Sequence, residues 1–276
     1  MNQKQLIDFH DKGFVVIDDI FTKEEMNIFS TAFNSEVFQD HLSKKHTGFS
    51  FHLLEIAAMH PIFMELAKNE KILSHVRQLI GNNIQLQHSK MAVKQPGAGS
   101  GEVDWHQDFA YFPHTNTDLV AVMIAFDDVV EENGAMQAVK GSHKLGLLEH
   151  VQSNGFLGSC TNPIRSDAVN YEYIKIKTGG ISLHHCLLLH CSHDNLSSQP
   201  RRTVVFEYRA DDAFQLSDWV WRDTGVLVSG KRDYKIRLTD GVYQLGKTHR
   251  YGEMLPFGNA WNQVGDIAMD NVKNKD

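Results

Sequence analysis

From Ile84 to Ala210 the chain is a series of short apolar runs broken by glycine-rich or polar turns, and no connection has a convincing helical period. Nothing else in the sequence limits the fold as much. Parallel neighbours need a crossover of a dozen or more residues, usually a helix, so strands joined without helices are expected to run antiparallel. The runs are 84–95, 104–112, 118–127, 135–139, 173–177, 181–190 and 203–210, with Gly97, Gly99, Gly101, Asn133-Gly134, Gly141 and Gly179-Gly180 as punctuation. Strands in this number, without helices between them, predict a mainly β fold with flanking helices and a jelly-roll core, whose open end can hold a metal. Residues 145–172 have no period and are expected to form an insertion or lid.

The N-terminal third reads differently. Residues 3–11 predict a short helix stopped near Gly13, followed by the apolar strand Phe14-Val15-Val16-Ile17. Thr22-Lys23-Glu24-Glu25 has the form of a capping box, in which the Thr and Glu side chains each satisfy a free backbone N–H at a helix start. After an irregular stretch at 36–52, Pro61 sits where a helix begins, and a further helical run, 72–80, ends at Gly81. The organisation expected is one domain: a helical layer at about 1–83, a core at about 84–210 and a cover at about 211–276. That last stretch, with Trp219, Trp221 and Trp261, is expected to close the barrel or to serve a homodimer.

Charge and composition exclude several partners. Lys and Arg total 27 against 34 Asp and Glu, and no basic run interrupts the net charge of -7, so nucleic acid is not an expected partner. The N-terminus has no apolar signal-like segment, and no stretch reaches the length of a membrane span. A soluble, cytoplasmic protein is expected. Cys160, Cys186 and Cys191 are odd in number and lack zinc-type pairing, which predicts reduced thiols.

The chemistry concentrates in Asp104-Trp105-His106-Gln107-Asp108-Phe109-Ala110-Tyr111-Phe112. Read as a strand, this stretch sends residues two apart to one face, so the His106 imidazole and the Asp108 carboxylate leave side by side and can hold one edge of a metal. Two imidazoles and one carboxylate on one face of an octahedron leave the opposite face open, the geometry of non-haem iron(II) oxygenase sites. His-x-Asp alone is a weak signal, since sixteen histidines in 276 residues give about one match by chance. A second histidine from a distant strand is needed. The late run Ile181 to His190 supplies candidates, and a polar turn follows it before Arg201 and Arg202. An arginine there suits a bidentate contact with a carboxylate better than a lysine would.

With these residues in view, the chain resembles the phytanoyl-CoA dioxygenase family of iron(II)- and 2-oxoglutarate-dependent oxygenases. The matching residues are Gly13 to Asp18, Trp105 to Phe109, Asn133 to Met136, Gly141 to Lys144, His185, and His190-Cys191-Ser192 with Asn195, Ser197 and Arg201. The resemblance implies His106, Asp108 and His190 as iron ligands, Arg201 as the anchor of the far carboxylate of 2-oxoglutarate, and Ser192 as its helper. It places a polar group at His88 in the pocket. Cys191 departs from the family, which commonly has glycine there. Asp108 is present, whereas halogenases of this superfamily vacate that position, so the resemblance implies hydroxylation or a related oxidation. The implied cofactors are Fe(II), 2-oxoglutarate as cosubstrate and O2, with ascorbate as an accessory reductant. The products are succinate and CO2.

Several positions keep a second reading. His184 and His185 compete with His190; parity along one strand puts His184 on the same face, but its offset to the arginines is longer. Arg202 stands second to Arg201. Phe109 and Phe112 wall the substrate site or pack in the core. Asp127-Asp128 and Glu131-Glu132 read as a solvated turn. The substrate expected is a small polar or anionic molecule, met by His88, Lys90, Lys94 or Arg209. The rivals are a non-oxidative metal-dependent cupin hydrolase or isomerase and a non-catalytic metal-binding module.

Overall fold

In chain order the computed structural model runs through helix α1 (Gln3–Lys12), strand β1 (Phe14–Ile17), helix α2 (Lys23–Thr31), strand β2 (Phe51–Leu54) and helices α3 (Ile56–Met59), α4 (Pro61–Ala67) and α5 (Glu70–Ile80). Strands β3 (Ile84–Lys94), β4 (Val103–His106), β5 (Leu119–Ala125), β6 (Met136–Val139), β7 (Tyr171–Ile174), β8 (Ile181–His185), β9 (His190–Ser192), β10 (Arg201–Ala210) and β11 (Val226–Ser229) follow. The structure describes residues 1–36, 38–39, 50–97, 101–162, 171–217 and 222–239.

The strands form two antiparallel sheets. One follows the order β1-β8-β5-β10-β3-β11 with β2 also paired to β3, and the other the order β4-β9-β6-β7. This is the jelly-roll arrangement that the absence of helical crossovers requires. Helices cover the outer face of the large sheet: Phe63, Ile72 and Val76 share one apolar core with Leu86, Val204 and Phe206, and the Tyr208 hydroxyl donates to the Ala67 carbonyl at 2.8 Å. Truncating a fully buried aromatic there, as in Phe63→Ala, costs about 3–5 kcal/mol. The capping box is formed as written: Glu25 N donates to Thr22 Oγ1 at 3.3 Å and Thr22 N to Glu25 Oε2 at 2.8 Å. Gly13 ends α1 with φ 87°, and a Cβ there would stand 2.5 Å from His143 Nδ1, so only glycine fits.

Register sets what faces the interior. His88 on β3 lies opposite Glu207 on β10, Glu207 opposite Ala121 on β5, and Ala121 opposite His184 on β8. One transverse row of the large sheet therefore carries His88, Glu207 and His184, with the small Ala121 between the last two.

Three expectations are corrected. The run 104–112 is not one strand: β4 ends at His106, and Asp108–Ala110 form a 3-10 turn closed by Tyr111 N to Asp108 O at 3.0 Å. The run 181–190 splits into β8 and β9, which lie in different sheets, with a corner at 186–189 where Leu188 N bonds His185 O at 2.8 Å. The stretch 36–52, of which 37 and 40–49 lie outside the described residues, leads into an additional strand, β2, which pairs antiparallel with the second half of β3. In the expected cover, β11 extends the edge of the large sheet, while Trp219, Trp221, Trp261 and everything from 240 onward lie outside the described residues.

Candidate active site

His106, at the end of β4, and His190, at the start of β9, are register partners on adjacent strands of the small sheet. The 3-10 turn after β4 swings Asp108 to the same point. His106 Nε2 lies 3.7 Å from Asp108 Oδ1, and His190 Nε2 lies 4.0 Å from Asp108 Oδ2. All three side chains are buried, and their donor atoms lie within 4.8 Å of one another, a group able to hold a metal ion.

The imidazoles are prepared as ligands. His106 Nδ1 donates to the Asp104 carbonyl at 2.7 Å and His190 Nδ1 to the Leu188 carbonyl at 2.9 Å. A carbonyl oxygen only accepts, so each ring carries its proton on Nδ1 and presents the Nε2 lone pair to the centre. Burial, reinforced by His106, holds His190 well below the usual histidine range and keeps it neutral. Burial pushes the Asp108 carboxyl up, but the surrounding histidines, His190 first and then His106 and His184, outweigh it and hold the group ionised. Two neutral imidazoles and one carboxylate fit a ferrous ion.

The same carboxylate meets two groups of the large sheet. His184 Nε2 stands 3.2 Å from Asp108 Oδ2. Glu207, fully buried, completes a second set with Asp108 and His184 whose donor atoms also lie within 4.8 Å of one another. Burial, then the Asp108 charge, pushes the Glu207 carboxyl well above the usual range.

A cavity of about 180 Å³ joins this centre to Arg201. Arg201 is buried; its Nη2 donates to Gly134 O at 3.0 Å and its Nη1 to Thr203 Oγ1 at 3.1 Å. Among the described residues no carboxylate pairs with it; Asp127, whose charge it feels, is engaged by Arg202 at 2.7 Å. Burial alone lowers the guanidinium to about 10. Lys94 lines the same cavity and donates to the carbonyls of Gly101 and of His193, the latter at 2.5 Å. Burial, then the Arg201 charge, brings it down to about 7. Two buried cations held only by carbonyl and hydroxyl oxygens form a site for an anion. Gly134 makes this end possible: its φ is 81°, and a Cβ would stand 2.6 Å from the His193 carbonyl oxygen.

The remaining expected residues separate. Ser192 and Cys191 line the cavity. Lys90 and His52 do too, whereas His88 is not among the lining residues and packs at 5.1 Å against Phe112. Phe109 and Phe112 are core. His185 accepts from Leu187 N at 3.0 Å and packs on His143 at 5.2 Å, away from the centre. Arg209 is committed to Asp223 at 2.6 Å and Gln85 at 2.6 Å, so it meets no ligand. Asp128 receives Thr178 N at 2.8 Å in the turn preceding β6.

Two residues escaped the reading of the sequence. Glu207 shares a strand face with Arg201 by even spacing, which was a usable signal. Gln107 gave none. Its amide donates to Gly146 O at 2.9 Å and Leu187 O at 2.7 Å and accepts from Leu148 N at 2.7 Å, bolting the His106–Asp108 turn to two distant segments.

The family model for phytanoyl-CoA dioxygenase matches residues 9–203. A probable alpha-ketoglutarate-dependent hypophosphite dioxygenase of Stutzerimonas stutzeri is 30% identical over 237 residues, covering 78% of this chain and 81% of that protein. An ectoine dioxygenase of Streptomyces anulatus is 22% identical over 232 residues, covering 75% of this chain and 77% of its own. In fold, EctD of S. alaskensis, solved with 2-oxoglutarate and 5-hydroxyectoine, superposes with a TM-score of 0.61 at 22% identity over 76% of each chain. The carbocyclase SnoK from nogalamycin biosynthesis gives a TM-score of 0.64 at 19% identity over 79% of this chain and 88% of its own. No helix among the described residues is long and apolar enough to cross a membrane. A family match over most of its length, on a jelly roll of the same kind, makes this chain a member of the phytanoyl-CoA dioxygenase family of iron(II)- and 2-oxoglutarate-dependent oxygenases.

Proposed function

We propose that the protein hydroxylates a small, polar, anionic metabolite, with His106, Asp108 and His190 holding iron(II) and Arg201 anchoring 2-oxoglutarate. The observation that carries this reading is Arg201: a buried guanidinium with no carboxylate partner among the described residues opens onto the cavity that His106, Asp108 and His190 also line. Iron with 2-oxoglutarate and O2 would supply the oxidising power, with succinate and CO2 as co-products of placing one oxygen atom in the substrate.

The protein's part is geometry and exclusion of water. His106 and His190, with Nδ1 tied to backbone carbonyls, keep Nε2 aimed inward before anything binds. Arg201 is held in place by Gly134 and Thr203, so its fork needs little reordering to receive the far carboxylate of the cosubstrate. Lys94 adds positive charge beside it, and Ser192 offers a hydroxyl on the same wall. Met123, Met136 and Val205 line the stretch between the two ends with apolar surface, which keeps the local dielectric low and strengthens the charged contacts.

The substrate reading rests on the rest of the lining. Lys90 and His52 line the cavity as well, and its small volume favours a compact guest over a long acyl chain. The hypophosphite dioxygenase at 30% identity acts, by its name, on a small oxyanion, and ectoine dioxygenases on a small polar metabolite. A non-oxidative cupin reaction at the same ligands gives Arg201 no role.

The test is succinate release under air from protein loaded with iron(II) and 2-oxoglutarate, screened against small oxyanions and zwitterions. Stimulation by such a compound, absent without oxygen and lost in Arg201→Ala, is the expected outcome. Turnover of any compound without oxygen or 2-oxoglutarate contradicts the reading.

A further inference from the structure

We infer that His184 is a positioning residue: it donates an Nε2–H hydrogen bond to Asp108 Oδ2 and thereby confines that carboxylate to a single-oxygen contact with the metal. The inference rests on the ligand set proposed above. His184 Nε2 lies 3.2 Å from Oδ2, and an ionised carboxylate oxygen only accepts, so this nitrogen carries the proton. His184 Nδ1 is buried and has no hydrogen-bond partner among the described residues, whereas His106 and His190 point Nδ1 at carbonyls. The three imidazoles around Asp108 thus divide by tautomer: two present a lone pair at Nε2, and His184 presents N–H. That division separates His184 from the ligands although all three lie near the same carboxylate.

Placement comes from the large sheet and not from the metal-bearing strands. His184 projects from β8 opposite Ala121, whose small side chain leaves the row open between His184 and Glu207 beneath Asp108. A carboxylate with both oxygens free can close on a metal through both. Capped at Oδ2, Asp108 offers Oδ1, the oxygen nearer His106. On an octahedron holding three protein donors and a two-point cosubstrate, this keeps the last position open.

The competing arrangement is a second metal site built from Asp108, His184 and Glu207, in which His184 would be a ligand. Metal stoichiometry distinguishes the two. Anaerobic Co(II) titration of the intact protein, read by calorimetry and visible absorption and followed by 2-oxoglutarate, is expected to give one ion per chain. His184→Ala is expected to bind Co(II) about 10- to 100-fold more weakly, the range for losing a group that orients a ligand, with an altered visible spectrum and weaker 2-oxoglutarate binding. His184→Gln keeps an N–H donor and is expected to return to within about threefold of wild type. His184→Phe fills the space without a donor and replaces the alanine variant if that fails to fold, as a thermal melt would reveal.

Wild-type affinity and spectrum in the donor-free variant would overturn the proposal, as would a glutamine variant no better than alanine. Two ions in wild type falling to one in Glu207→Gln would also overturn it, in favour of the second site. Failure of the ligand set itself reads differently: wild type binds no ion, or His106→Ala binds as wild type does, and the role of His184 falls with it.

Discussion

The rings of His106 and His190 stand 4.2 Å apart across the β4–β9 pair, each with Nδ1 bonded to the carbonyl two residues before it. The same local device in both strands turns both lone pairs toward Asp108, so the centre is organised by backbone before a ligand arrives. Such an arrangement has measurable consequences at the anion end, in the turn and at the centre itself.

Arg201 offers an anion geometry as well as charge. Removing it in Arg201→Ala should raise the KM for 2-oxoglutarate by about 10- to 100-fold, corresponding to the loss of about 1.5–3 kcal/mol of charge-assisted hydrogen bonding. Arg201→Lys should recover little, because a point charge on a flexible stem replaces a planar fork already held by Gly134 and Thr203. Direct binding of 2-oxoglutarate by calorimetry checks both.

Lys94 should make cosubstrate binding depend on pH. Its ammonium is lowered from 10.5 to about 7 in the free protein, by burial and then by Arg201. A bound dicarboxylate raises that value, so affinity should be full below about pH 7 and decline as pH rises through it. Lys94→Met should bind more weakly and lose this part of the profile. For folding the sign is opposite to that of a paired lysine: between about 7 and 10.5 the unfolded chain holds more protons, so this group makes stability rise with pH across that window.

Gly134→Ala should injure the fold and the anion end together. A side chain at φ 81° is strained, and its Cβ would stand 2.6 Å from the His193 carbonyl, which also receives Lys94. A loss of about 1–3 kcal/mol is expected from the backbone conformation, seen as a lower Tm, together with a raised KM for 2-oxoglutarate as the Gly134 carbonyl moves away from Arg201.

Gln107→Leu removes three side-chain hydrogen bonds from a buried position and leaves the partners unsatisfied. About 2–4 kcal/mol of destabilisation is expected. Because the turn carries Asp108, iron affinity should fall in the same variant even where the protein remains folded, which an anaerobic titration at low temperature would register.

The parts of this molecule that local chemistry writes plainly are the strands, the helix starts and the turns. Thr22 with Glu25, Gly13 and the glycine punctuation act over a few residues, so their consequences are visible in the string of letters. Asp108 was placed beside His106 by strand alternation, yet it arrives by a 3-10 turn; a spacing of two brings side chains together in either geometry, so the spacing does not distinguish them. Parity between His184 and His190 does not apply, because the chain turns a corner at 186–189 and enters the other sheet. Both reach Asp108, one from each sheet, a fact of sheet packing that no linear period encodes. His88 and Arg209 drop from the pocket for a related reason: burial against Phe112 and pairing with Asp223 are long-range outcomes. Glu207 was accessible, at the fourth alternate position along one strand face beginning at Arg201, and only its setting in an apolar strand, where core residues are the rule, hid it.

The most direct test of the central claim is an anaerobic crystal of the protein with iron(II) and 2-oxoglutarate, measured at the iron absorption edge. One anomalous peak within bonding distance of His106 Nε2, His190 Nε2 and a single oxygen of Asp108, with the cosubstrate's far carboxylate on Arg201, is the result predicted. A peak bonded instead to His184 and Glu207, or a cosubstrate that leaves Arg201 untouched, would contradict it.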